Sequence, residues 1–240
     1  MRFLTKLARF ATVATVLFTA SLAYAKETII VIVGDSTVAS YLKPDDVNRG
    51  WGQILSDWSG GETKVINLAK SGASSKSFLS RGLWAKALKA KPNVVLIQFG
   101  HNDRARDEAR GTKPDEYAEN LRRYVTESRA IGAEPIFVTP PVPRVFNAET
   151  GKLGNGKLIP YVEAMKKVGE EEKVPVLDLF ARSSDWYRSI GKEKSIEFAP
   201  RPTDINHYNQ AGAEQLARFI LEEAKEKAPQ LNQLFAEPAK

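Results

Sequence analysis

The chain has 240 residues, a formal net charge of +6, two histidines and no cysteine. Three of the positive charges, those of Arg2, Lys6 and Arg9, lie in the first 25 residues, which contain no acidic residue. The remainder is only mildly basic and does not indicate a nucleic-acid partner. The missing cysteines exclude disulfides, and with so few histidines we expect neither a metal site nor a cofactor.

Residues 1–25 have the pattern of a secretory signal peptide. The three basic residues precede an apolar run at 10–22. Ala23-Tyr24-Ala25 then supplies the small-x-small motif after which signal peptidases cleave. A membrane anchor is the alternative, but this run is shorter than the ~20 residues that span a bilayer. We predict cleavage after Ala25 and a secreted or periplasmic protein. We expect residues 26–240 to form one domain, a monomer that does not associate with a membrane.

Strand-like and helix-like segments alternate after residue 26. Continuous apolar and β-branched runs, typical of parallel strands buried on both faces, predict strands at 28–33, 63–68, 94–98, 134–139 and 174–177. The intervening patterns predict helices at 51–58, 83–89, 114–131, 161–172 and 210–227. This alternation predicts an α/β domain with a five-stranded parallel sheet and helices on both sides. We expect irregular structure at 43–50, 140–158 and 192–208, and a loosely packed tail beyond Pro229.

A candidate nucleophile follows the first predicted strand. Ser36 stands in Gly34-Asp35-Ser36-Thr37, where the glycine permits a tight turn and the next residues can begin a helix. A serine attacks an ester only when a base takes its proton and a carboxylate fixes the tautomer of that base. The alternative is that Asp35 and Ser36 cap a helix, a position that both residue types favour.

The spacing of Asp204 and His207 predicts the base. Three residues apart before the last predicted helix, the two side chains can lie on one side of a turn. The carboxylate then accepts from one imidazole nitrogen while the other nitrogen faces the serine. Alternatively, Asp204 or Asn206 caps the helix and His207 lies on the surface. His101 is the competing base, but it lacks this carboxylate spacing.

Two more polar phrases follow the second and third predicted strands, Lys70-Ser71-Gly72-Ala73 and Gly100-His101-Asn102-Asp103. A tetrahedral oxyanion needs donors that are aimed at it in advance, and the Asn102 amide with two backbone N–H groups would supply them. Asn102 and Gly72 could instead simply form turns. All these phrases are predicted at the carboxyl edge of the sheet, where parallel sheets bind ligands.

The four sequence motifs around Ser36, Gly72, Asn102 and His207, in this order, resemble those of the SGNH, or GDSL-type, serine hydrolases. Gly34-Asp35-Ser36-Thr37-Val38-Ala39, Gly50-Trp51-Gly52 and Phe99-Gly100-His101-Asn102-Asp103 look most like the rhamnogalacturonan acetylesterase branch. The resemblance implies a flavodoxin-like three-layer α/β/α sandwich. It also implies Ser36 as nucleophile, His207 as base with Asp204 as its partner, and the Ser36 and Gly72 N–H groups with the Asn102 side chain as oxyanion hole. Thr37 departs from the leucine of many lipase and thioesterase members.

We therefore expect an esterase that removes O-acetyl groups from plant cell-wall polysaccharide, preferably pectic rhamnogalacturonan. Trp51 and Tyr41 are candidate sugar-stacking faces. Loop arginines that could bind galacturonate carboxylates are Arg49, Arg104, Arg144 and Arg201. The alternatives are a periplasmic lysophospholipase or thioesterase with the same mechanism, and a catalytically silent carbohydrate-binding protein.

Overall fold

The computed structural model of the chain describes residues 27–235. Its strands are β1 (Thr28–Gly34), β2 (Thr63–Asn67), β3 (Val94–Gln98), β4 (Glu134–Val138) and β5 (Val176–Leu177). All neighbouring pairs are parallel, in the order β2-β1-β3-β4-β5. The predicted signal peptide lies outside the described residues.

Successive residues of the strands face two separate cores. In β1, Ile30 and Ile32 pack into one core, whereas Val31 and Val33 pack into the other, and all four are fully buried. A sheet covered on both faces needs apolar residues at every position, which explains the continuous apolar runs. The predicted three-layer α/β/α fold is confirmed.

The helices form the two outer layers. One core is covered by α1 (Trp51–Trp58), α6 (Leu179–Ile196), α7 (Gln210–Lys227) and α8 (Pro229–Asn232), and the other by α2 (Ser75–Ser80), α3 (Leu83–Lys89), α4 (Pro114–Ala130) and α5 (Ile159–Glu171). Pro114 is the first residue of α4, and Gly132 lies just past its end with φ +78°, in the left-handed region that favours glycine. Among residues 27–235, no helix is both long enough and apolar enough to cross a membrane.

Three helices were not predicted, and α6 shows why. Serines occupy part of its buried face, so the apolar periodicity is weak. Ser184 is accommodated there because its hydroxyl donates to the Phe180 carbonyl at 2.7 Å. A kink at Gly191, with φ +77°, divides α6, and its second part extends to Ile196, into the stretch that we expected to be irregular.

The described part of the C-terminal tail is packed, so the prediction of a loose tail is wrong as far as residue 235. Leu231 of α8 is fully buried in the core that also contains α7. Phe235 forms a β-bridge with Ser59, just after α1. The tail therefore closes one face of the sandwich.

Gly50 brings the start of α1 against the loop that follows β1. Its φ of −101° suits any residue, so conformational freedom does not require glycine. A Cβ atom there would lie 2.6 Å from the Val38 carbonyl oxygen and would also overlap the carbonyl group of Ala39. Close approach of two backbone segments is therefore the reason for glycine.

We predict that Gly50→Ala lowers the free energy of unfolding by about 1–3 kcal/mol, because the added methyl group overpacks a buried contact. Denaturant titration measures this difference. Gly60→Ala is the matched control, since a Cβ atom there meets nothing within 4 Å, and its stability should be unchanged or slightly higher. Equal losses in both variants would contradict the steric explanation.

Candidate active site

Ser36, His207 and Asp204 form a hydrogen-bonded chain at the carboxyl edge of the sheet. Ser36 Oγ lies 2.9 Å from His207 Nε2, and His207 Nδ1 lies 2.9 Å from Asp204 Oδ2. The other carboxylate oxygen accepts the backbone N–H groups of Asn206 and His207, each at 2.9 Å. With Nδ1–H donating to Asp204, Nε2 can accept the serine proton.

The environment of Asp204 favours its ionised form. Partial burial raises the pKa of Asp204, but hydrogen bonds from the His207 and Asn206 backbone and from the His207 ring outweigh burial and hold it below its usual value. His101, the competing base, has no bond to Ser36. Burial and the nearby Arg104 charge lower the pKa of His101 to about 3, so the ring is neutral.

The loop of Ser36 is a turn and not the start of a helix. Val38 and Ala39 donate to the Asp35 carbonyl at 3.3 and 3.1 Å, and α1 begins only at Trp51. The alternative of a helix cap is therefore wrong. Tyr41 holds the turn from outside, since its hydroxyl donates to the Ser36 carbonyl at 2.8 Å.

A buried polar network lies beneath this turn. Trp51 Nε1 donates to Gln98 Oε1 at 2.7 Å, and Gln98 Nε2 donates to Thr37 Oγ1 at 2.8 Å. Asp35 accepts the Thr37 backbone N–H and hydroxyl at 2.9 and 2.8 Å. Trp51 has no exposed surface, so the prediction that it stacks on a sugar is wrong. It instead supports the nucleophile turn, in a contact with Gln98 that the sequence did not indicate.

Gly72 and Asn102 line the same cavity as Ser36. Gly72 has φ +77°, which favours glycine. Asn102 Nδ2 donates one hydrogen to the Ala73 carbonyl at 2.9 Å, which leaves its second hydrogen for another acceptor. Among the described residues, the backbone N–H groups of Ser36 and Gly72 donate to no acceptor. These donors can chemically serve an oxyanion.

Asp103 joins the two loops that carry Gly72 and Asn102. It is fully buried, and its carboxylate accepts the Ser75 backbone N–H at 3.0 Å and the Gly100 N–H at 3.0 Å. The Ser75 hydroxyl also donates to it. Burial raises the pKa of Asp103 to about 7 against the opposing effect of the Ser75 hydrogen bonds. The buried carboxyl group of Asp103 therefore positions the loops that carry Gly72 and Asn102.

The cavity has a volume of about 410 Å³ and is lined by residues with polar side chains and by one glycine. The lining residues are Ser36, Tyr41, Asn48, Ser71, Gly72, Asn102, Arg201, Asp204 and His207. Tyr41 has the one six-membered aromatic ring among them, and none of them has an aliphatic hydrocarbon side chain such as that of leucine or valine. Sequence reasoning missed Asn48 and Ser71, although both lie within or beside the segments that it singled out. The described part of the chain has no cluster of three or more histidine or acidic side chains that could hold a metal.

Arg144 is buried beneath the His207 segment, and the prediction that it contacts substrate is wrong. It is 6% exposed, and its guanidinium donates to the carbonyls of Asp204 and His207 and, at 2.7 Å, to the Tyr187 hydroxyl. Its guanidinium also lies 4.8 Å from the centre of the Tyr208 ring. Arg144 therefore positions the segment that carries the base.

Of the other candidate arginines, Arg201 lines the cavity, and its contact with substrate stays a prediction. Arg49 and Arg104 are engaged with backbone carbonyls of their own surroundings. Arg49 donates to the carbonyls of Asp46 and Asn48, and Arg104 donates to those of His101 and Gly156. Sequence alone does not distinguish these roles, because each arginine lies in a loop.

Residues 32–215 match the GDSL-like lipase/acylhydrolase family. The chain is 32% identical over 212 residues to the rhamnogalacturonan acetylesterase RhgT of Bacillus subtilis, covering 82% of this chain and 89% of that protein. It is 29% identical over 151 residues to thioesterase 1/protease 1/lysophospholipase L1 of Escherichia coli K12, covering 63% and 66%. The crystal structure of protein YxiM of B. subtilis superimposes with a TM-score of 0.74 at 28% identity, covering 88% of this chain and 58% of that one.

We predict that Arg144→Lys lowers kcat roughly ten- to a hundredfold, because a lysine cannot hold the two carbonyls and Tyr187 together and small displacements of a base are costly. The loss should be the same for a neutral nitrophenyl ester and for a charged polysaccharide. Arg188→Lys, on the exposed face of α6, is the control. A rise in KM confined to charged substrates would restore the substrate role.

We predict that the free energy of unfolding falls as pH rises from about 4 to about 7. Burial raises the pKa of Asp35 from 3.8 to about 6 and that of Asp103 from 3.8 to about 7. In this range the folded state retains carboxyl protons that the unfolded state has lost, so rising pH favours unfolding, by about 1.4 kcal/mol for each unit of pKa difference. His101 acts in the opposite direction, because its pKa is lowered from 6.5 to about 3 in the folded state, but two carboxyl groups outweigh one imidazole.

Denaturant titration of Asp103→Asn across this pH range tests the assignment. The variant should show a shallower pH dependence than the wild-type protein, whatever its absolute stability. Asp185→Asn, at an exposed position of α6, should keep the wild-type slope. An unchanged slope in Asp103→Asn would contradict the raised pKa.

Proposed function

This chain belongs to the GDSL-like lipase/acylhydrolase family and is a carboxylic ester hydrolase, and we propose that it removes O-acetyl groups from plant cell-wall polysaccharide, with pectic rhamnogalacturonan as substrate. The observation that carries this proposal is the polar cavity around Ser36. Its lining offers hydrogen bonds and the cation of Arg201, as an acidic sugar requires. The similarity to RhgT supports the same substrate.

In the proposed reaction, Ser36 Oγ attacks the acetyl carbonyl carbon while His207 Nε2 takes the hydroxyl proton. His207 then gives this proton to the sugar oxygen as the carbon–oxygen bond of the ester breaks, which leaves an acetyl group on Ser36. Water attacks that acetyl group with His207 again as base. Acetate leaves, and the serine regains its proton.

The negative charge of each tetrahedral intermediate is stabilised by the N–H groups of Ser36 and Gly72 and by the Asn102 amide. Loss of one such donor typically costs ~3 kcal/mol of transition-state stabilisation. Asp204 holds the imidazole through Nδ1 and stabilises the imidazolium that forms in each step. Its own hydrogen bonds from the backbone fix the carboxylate in the required orientation.

The size and the lining of the cavity limit which acyl groups can enter it. A long acyl chain needs a continuous apolar wall, whereas the lining of the cavity has only Tyr41 as a large ring surface. An acetyl group needs no such wall. Tyr41 is partly exposed beside the nucleophile, where its ring can pack against a sugar.

We further propose that residues 26–240 act outside the cytoplasm as a monomer. The basic and apolar pattern of residues 1–25 supports export. A plant polysaccharide is too large to enter a cell intact, so an exported enzyme would meet this substrate directly.

One observation favours the lysophospholipase or thioesterase alternative. Leu42, Val47 and Ile205 are 83%, 48% and 42% exposed, and each lies in a segment that contributes a residue to the cavity. Exposed apolar side chains around an active site suit a lipid substrate. A catalytically silent sugar-binding protein has less support, because the Ser36, His207 and Asp204 hydrogen bonds are complete.

We predict that the mature protein releases acetate from acetylated rhamnogalacturonan and that Ser36→Ala lowers this rate by about four orders of magnitude or more, because the nucleophile is removed. Acetate is measured directly, and circular dichroism checks the fold of the variant. Ser189→Ala, on the exposed surface of α6, should retain the wild-type rate.

An acyl-chain series on nitrophenyl esters separates the substrate classes. The proposal expects faster turnover of acetyl than of octanoyl esters, since the cavity lacks an apolar wall. A preference for octanoyl esters, with no acetate released from polysaccharide, would identify the lipid alternative. Sugar binding without turnover of any ester would leave the silent binding protein.

A further inference from the structure

A second groove adjoins the catalytic cavity, and three basic side chains line it. It has a volume of about 380 Å³, and Gly72 lines both spaces. Its other lining residues are Lys76, Ser77, Ser80, Arg81, Asp107, Ala109 and Arg110. The proposed oxyanion donor Gly72 is therefore the wall between the two spaces. A polymer held at Ser36 can extend into the groove.

The two spaces differ in charge. The groove has three cationic side chains and the carboxylate of Asp107, and Lys76 also pairs with Glu116 beside the lining, which leaves a formal excess of one positive charge. In the catalytic cavity, Arg201 is balanced by Asp204 when His207 is neutral. The groove therefore attracts an anionic group to a position beside the reacting ester.

Arg81 is the cation of the groove that is available for a ligand. Lys76 pairs with Glu116 at 3.2 Å, and Arg110 pairs with Asp107 at 2.8 Å. Arg81 is exposed, and in the described part of the chain no carboxylate lies within ion-pair distance of it. A guanidinium binds a carboxylate through two parallel hydrogen bonds.

The groove combines carbon surface with cationic groups. Most of its accessible surface is carbon, and its polar groups are mainly the charged ends of Lys76, Arg81 and Arg110. Carbon surface beside a cation can hold a sugar ring through its C–H face and through its carboxylate. This chemistry describes a uronic acid residue of a polysaccharide.

We propose that the groove of Lys76, Arg81 and Arg110 is a subsite for a uronic acid residue of the chain whose acetyl group lies at Ser36. This inference rests on the proposed function and adds to it the direction in which the polymer leaves the catalytic cavity. The subsite selects acidic over neutral acetylated polysaccharides, through affinity and not through the chemical step. Because the groove is exposed, salt weakens the selection.

The test compares Arg81→Gln with the wild-type protein on three substrates: acetylated rhamnogalacturonan oligosaccharides, acetylated xylo-oligosaccharides without uronic acid, and nitrophenyl acetate. KM for the acidic substrate should rise roughly three- to tenfold, as for loss of an exposed charged contact, while kcat changes little. KM for both neutral substrates should not change. Adding salt to the wild-type protein should raise KM for the acidic substrate alone.

Arg188→Gln is the matched control, because it removes the same charge from an exposed position of α6 on the opposite face of the sheet. It should leave all three KM values unchanged. Equal changes in both variants would show a general effect of net charge and would overturn the subsite. An Arg81→Gln effect of equal size on nitrophenyl acetate would overturn it too, since that ester is too small to reach the groove.

Binding to Ser36→Ala separates this inference from the proposed function. Calorimetry with acidic oligosaccharides should show weaker binding when Arg81→Gln is added to Ser36→Ala, even if turnover assays fail. Equal binding with and without Arg81 would overturn the subsite while leaving the esterase intact. Arg81-dependent binding to phosphatidylglycerol vesicles, without binding to oligosaccharides, would also overturn it and assign the groove to lipid headgroups.

Discussion

The hydrogen bond between Ser36 and His207 joins residues that are 171 positions apart, and the chemistry of the site depends on it. A base can take a proton only within hydrogen-bonding reach. The loop of Ser36 and the loop of His207 must therefore both be fixed by contacts with the residues beneath them. Buried Gln98 and Trp51 support the turn of Ser36, and Arg144 supports the segment of His207. The two supports come from different strand ends, so the sheet itself sets the distance.

Holding these loops costs stability, because charged and polar groups are placed where apolar ones would pack better. Asp35, Asp103 and Arg144 are all buried next to the site. Part of the desolvation is compensated by hydrogen bonds, which the two carboxyl groups accept from neighbouring backbone and hydroxyl groups and which Arg144 donates to the Tyr187 hydroxyl. The raised pKa of both carboxyl groups records what remains uncompensated. Such local conflicts are expected at functional sites.

The charges around the reacting serine differ from those in the neighbouring groove. Around Ser36 the formal charges balance, so the charge that develops on the ester oxygen meets oriented dipoles rather than a fixed cation. The excess positive charge lies beyond Gly72, in the groove of Arg81. An acidic polymer would gain affinity there without altering the reacting centre. The exposed apolar residues next to cavity-lining residues, such as Leu42, instead suit a lipid substrate.

The sequence by itself predicted the strands of the sheet, the carboxyl edge that carries the site and the Asp204–His207 pair, because these depend on local patterns and short spacings. Ser36 was predicted from its motif after the first strand. Only the tertiary structure decided the roles of Trp51 and Arg144, since each is buried by segments distant along the chain. A tryptophan or arginine has the same chemistry in a cleft or beneath it. Its function depends on what covers it, and that is a property of long-range packing.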